Sequence, residues 1–127
     1  MTSLMQPHNA VEVLLERVPA FAAARALDYS HMSHDDSSPY LVFGDFAGFL
    51  RELIVHKLGA EDTSNILAES FRLLSEMATS PNDELANLAV VGVFEVLADS
   101  PESVAVARKQ LSRKALKVFD RVLRGWI

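Results

Sequence analysis

Apolar residues recur at spacings of three and four along several separate stretches of this chain, the period of amphipathic helices rather than of strands. Over 9–18, Val11, Leu14, Leu15 and Val18 fall on one side and Glu12, Glu16 and Arg17 elsewhere. Pro19 ends that helix and starts a second, alanine-rich one over 20–29, because its ring tolerates only a first turn. Over 40–58, Phe46, Phe49, Leu50, Leu53 and Ile54 share a face opposite Asp45, Arg51 and Glu52. His56 and Lys57 complement the negative end of that helix dipole, and Gly59 is placed to close it. Asp62 or Thr63 caps a fourth helix whose inner face is Ile66, Leu67, Ser70, Phe71, Leu73, Leu74 and Met77. Its outer stripe is Asn65, Glu69, Arg72 and Glu76, where Arg72 is within reach of both glutamates.

The next stretch differs. Ser80 reads as an N-cap, Pro81 as a first helical residue, and Asp83 and Glu84 suit the positive dipole end. A run then follows that is apolar on nearly every side, from Leu85 through Leu88 to Val91, Val93, Phe94, Val96 and Leu97. A helix of that kind must be buried, so 81–98 is expected to be the central rod of the fold. Glu84, Glu95 and Asp99 are left on one narrow side. Gly92 costs about 1 kcal/mol relative to alanine in mid-helix, which predicts a close approach by another helix. Glu95, the charged residue deepest in the run, reads as a buried structural polar group tied to a helix start or to Tyr29 or Tyr40. The competing reading makes it a functional acid with a raised pKa.

Ser100-Pro101 repeats the start signal for a short helix, and Ser112 caps or bends into a last one. There Ala115, Leu116, Val118, Phe119, Val122, Leu123 and Trp126 oppose Arg113, Lys114, Lys117, Arg121 and Arg124. This basic amphipathic helix reads as a docked lid with a solvated outer face. The expected fold is all-α: one domain over 1–127, with about six to seven helices in antiparallel, HEAT-like hairpins around the buried helix 81–98.

Composition narrows the chemistry. Half of the 127 residues are hydrophobic and none is cysteine, which excludes a disulfide framework, a thiolate metal site and a thiol nucleophile. No basic-then-apolar leader opens the sequence, and no apolar run reaches the ~20 residues of a membrane span, so a soluble cytoplasmic protein is expected. The net charge of −5 is divided unevenly: residues 1–107 hold sixteen acids against five bases, and 108–127 hold seven bases against Asp120. An acidic body disfavours nucleic acid as a ligand and suits a basic protein partner.

The polar loop 30–39 gathers His31, His34, Asp35 and Asp36, but ligands on one flexible stretch lack the rigid frame a metal site needs. No phosphate-binding glycine loop, nucleophile elbow or zinc-protease motif is present. No catalytic residue, cofactor or metal is therefore expected, and the protein is not expected to be an enzyme.

Val18-Pro19 with Phe21, a polar loop closing on Ser38-Pro39, the phenylalanine-rich VFGDFAGFLREL and the segment NLAVVGVFEVL follow one another in order, and a basic helix ends in Trp126. This order resembles the small helical immunity proteins of bacterial contact-dependent growth inhibition and related polymorphic toxin systems. The specific part is the central segment from Asn87 through Gly92, Phe94 and Glu95 to Leu97; a Leu-Gly-Pro break expected before the last helix is replaced by Leu111-Ser112-Arg113. The resemblance implies stoichiometric inhibition of a cognate toxin domain, often a nuclease with a basic surface. Asp28, Asp35, Asp36, Glu61 and Asp62, near the ends of helices flanking two loops, are then expected to contribute to the contact. The rival readings are a helical scaffold or adaptor with a non-toxin partner, and a small hydrolase or nucleic-acid enzyme using Glu95 and a histidine.

Overall fold

A computed structural model describes residues 5–29 and 38–125, and within them the chain is all-α with no strand. A 3₁₀ turn, Pro7–Asn9, leads into α1 (Ala10–Arg17) and α2 (Pro19–Tyr29). Then come α3 (Pro39–His56), α4 (Thr63–Ala78), α5 (83–97), α6 (Pro101–Gln110) and α7 (Arg113–Leu123). Helix α5 is continuous but changes pitch: Asp83–Ala89 is α-helical, Val90–Phe94 is π-helical, and Glu95–Leu97 closes with an α turn.

Most starts follow the sequence logic. Pro19, Pro39 and Pro101 each open a helix. Ser100 Oγ accepts from the Ser103 amide, and Ser112 Oγ accepts from the Ala115 amide. Helix α5 corrects the expectation of a Ser80 cap: Asn82 holds that position, and its Oδ1 accepts from the Glu84 and Leu85 amides at 3.0 and 3.3 Å. Ser80 instead accepts from the Asn82 amide, fixing the cap itself. Asn82→Ala is therefore expected to cost about 1 kcal/mol, read as a lower denaturation midpoint with unchanged denaturant dependence.

One core joins all seven helices. Phe43, Phe46, Phe71, Phe94 and Phe119 are fully buried within it. Phe21 lies 5.2 Å from Phe46, and Phe94 meets Phe119 edge-on at 5.3 Å. Helix α3 packs most closely on the π segment of α5, and α4 and α7 close the other sides. Contacts converge on α3 and α5 instead of passing only between successive pairs, as they would in a stack of repeats. The close approach expected at Gly92 is present: a Cβ built there would lie 3.0 Å from the Phe43 Cβ.

The outer stripe of α4 is more than a solvated face. Arg17 forks onto it, donating to both carboxylate oxygens of Glu76 at 2.8 and 2.9 Å and to Glu69 at 2.8 Å. Arg72 reaches only Glu69, at 4.0 Å. Donation to Glu76 raises the Arg17 pKa, against the opposing effect of partial burial. A raised folded pKa means that stabilisation by this cation is present below its unfolded pKa. It is lost only at strongly alkaline pH.

Candidate partner-binding surface

Helix α5 is buried against its neighbours but not all round. Glu84, Asn87, Val91 and Glu95 lie on one line along it, and all four are exposed, as are Asp83 and Asp99 near its ends. The expected burial of Glu95 is thus corrected. It stands on the solvent side of the rod with Glu84, because positions eleven apart on a 3.6-residue helix nearly superimpose. Tyr40 is not bonded to it, its hydroxyl instead accepting from Asn87 Nδ2 at 2.7 Å, and the side chain of Tyr29 lies outside the described residues.

The middle of the strip is apolar. Val91 and Tyr40 are each 42% exposed, and Leu41 is 51% exposed at the N-terminal end of α3. Val91 belongs to the π segment, a geometry that is rare and recurs at functional sites. From Leu73 to Ala107 the sequence holds six acids and not one lysine, arginine or histidine. The strip is an apolar patch bracketed by carboxylates that have no ion-pair partner among the described residues. Such a surface can bind and orient a cationic partner.

The cleft between α2 and α3 offers a different environment. It encloses about 380 Å³ over Phe21, Ala24, Phe49 and Leu53, with Gly48 on one wall. Its charges are mixed: Arg25 and Asp45 approach to 3.9 Å, and Glu52 and Lys57 also line it. Mixed signs select no ligand charge. Among the described residues no group of three or more His, Asp or Glu side chains converges as a metal site. His56 and Glu52 are 3.8 Å apart, and both are exposed.

The sequence profile of the family described as "Domain of unknown function (DUF7674)" matches residues 11–126. The chain belongs to this DUF7674 family. No curated protein and no solved structure matches it. Among the described residues of this DUF7674 domain, no helix is long and apolar enough to cross a membrane.

Of the five carboxylates grouped from the sequence, the side chains of Glu61 and Asp62 are described in this DUF7674 domain. Glu61 and Asp62 are exposed in the turn between α3 and α4. Asp62 occupies the N-cap position of α4 without a side-chain bond to it. That turn follows the C-terminal end of α3, whereas Tyr40 stands at the N-terminal end, roughly 25 Å away at 1.5 Å per residue. Asp35 and Asp36 lie outside the described residues, as do His31, His34 and the side chain of Asp28. Sequence reasoning missed Val91 and Tyr40 as surface residues. On a helical wheel position 91 falls about 20° from 84 and about 40° from 95, so its place on the polar stripe was available from the spacing alone.

Proposed function

We propose that this chain is an immunity protein that binds and neutralises a cognate toxin domain of nuclease type, by stoichiometric occlusion in the bacterial cytoplasm. The observation that supports it best is the α5 strip, an exposed apolar centre between carboxylates in a stretch free of basic residues. A nuclease surface must attract phosphates and is therefore cationic. Carboxylates aimed at it speed encounter and select the partner, and Tyr40 and Val91 supply the desolvated contacts that hold it. The chain acts by covering that surface, with no turnover of its own. A standard interface of ~800 Å² a side is roughly 30 Å across, so one that extends from Tyr40 toward the turn between α3 and α4 has Glu61 and Asp62 at its edge.

The test is binding kinetics with the toxin domain encoded directly upstream. Glu84→Lys with Glu95→Lys is expected to slow association about tenfold or more at low salt, with a smaller effect at high salt. Reversing Glu61 and Asp62 should have the weaker effect of rim charges. Normal folding with unchanged kinetics in the Glu84/Glu95 variant would remove α5 from the interface. An upstream frame encoding no toxin would favour the scaffold reading.

A further inference from the structure

Helix α7 faces two ways. Ala115, Phe119 and Val122 are buried, while Arg113, Lys114, Lys117, Arg121 and Arg124 are all exposed. At 100° per residue these five cations occupy an arc of about 100°. Arg108 of α6 reaches Asp120 at 3.2 Å, but none of the five has an ion-pair or hydrogen-bond partner among the described residues. The first 107 residues hold sixteen acids, yet no described carboxylate pairs with this face.

We propose that the basic face of α7 docks on the α5 strip of a second copy, so that the strip is covered until a toxin domain displaces it. This regulation of the strip rests on the reading given under Proposed function. Charge complementarity carries it: both surfaces are exposed, opposite in sign and without ion-pair partners among the described residues. Their reach also matches, since Glu84 to Glu95 and Arg113 to Arg124 each cover eleven residue steps, roughly 16 Å of helix. The apolar Val91 between the carboxylates accepts the methylene stems of Lys117 and Arg121 while their heads remain in water. A nucleic acid or a membrane surface fits less well. Either would extend past α7 and bring further negative charge within a Debye length, ~8 Å, of the acidic remainder. A second copy presents its carboxylates over the length of one helix.

Each copy uses two different surfaces, so the contact is heterologous and builds rings or chains. Exposed ion pairs are screened, which makes the association dependent on salt and concentration. Sedimentation equilibrium of the full chain at low ionic strength should show a mass rising above the 14.0 kDa monomer with concentration, and returning to it in high salt. Lys117→Glu with Arg121→Glu should leave a monomer, and so should Glu84→Lys with Glu95→Lys. All four positions are exposed, so unchanged thermal melts serve as the folding control. Mixing the two variants should restore association, because each then meets its complement. A monomer under every condition overturns the proposal, as does association that survives both reversals or a mixture that stays monomeric. Toxin binding by a strictly monomeric chain would end this proposal and leave the inhibitor reading standing. Charge-swappable self-association without toxin binding would do the opposite.

Discussion

Phe94→Ala is expected to lower the unfolding midpoint by roughly 10–20 °C, the largest effect of any single truncation considered for this chain. Phe94 is fully buried at the end of the π segment and meets Phe119 edge-on at 5.3 Å. Removing a buried phenylalanine ring forfeits its transfer free energy and leaves a cavity, together about 3–5 kcal/mol. The loss falls where α5 packs against α3 and α7, so little backbone is free to collapse into the gap. Against a total stability of about 5–15 kcal/mol, such a variant approaches the threshold of folding. Thermal denaturation followed by circular dichroism measures it. A shift of only a few degrees would show that this junction is looser than its burial implies.

Gly92 gives the second large effect, and its sign is informative. In an ordinary exposed helix Gly→Ala stabilises by about 1 kcal/mol. Here a new Cβ would stand 3.0 Å from the Phe43 Cβ and 3.9 Å from its carbonyl carbon. Phe43 cannot yield by turning a side-chain tip: the atom approached is bonded to the α3 backbone, and its ring is enclosed beside Phe46. Overpacking of this kind costs ~1–3 kcal/mol, so Gly92→Ala is expected to be destabilising despite its gain in propensity. Gly92→Val adds two methyl groups at the same place and is expected to cost about 3 kcal/mol or more. Urea denaturation of the three proteins checks the order. A Gly92→Ala variant more stable than the parent would mean that α3 and α5 stand further apart than these positions show.

The same helix shows what the sequence could and could not reveal. Its existence, its central place and its close approach at Gly92 were all legible, because hydropathy and a mid-helix glycine report burial directly. The cap at Asn82 stands two residues beyond the expected Ser80, since the two are equally good acceptors and only the chain path chooses between them. The apolar neighbours that flank Glu95 in sequence suggest burial. Its angular position with Glu84, which governs exposure, pointed outward. The π segment left no mark in the pattern; one residue per turn more or less changes no hydropathy count.

Long-range pairing was equally hidden. Arg72 was the local partner for Glu69 and Glu76, yet Arg17, more than fifty positions away, takes both. The surface strip required Tyr40 from α3 to meet Asn87 on α5, a juxtaposition that no spacing along one helix encodes.

Titrating the purified chain into the product of the adjacent upstream reading frame, the proposed toxin, with nuclease activity as the readout, tests the proposed inhibitory role most directly. Stoichiometric occlusion predicts that activity falls in proportion to the chain added and is abolished at one equivalent of binding sites. Activity that persists in molar excess, or that disappears at a small fraction of an equivalent as it would under catalysis, would contradict it.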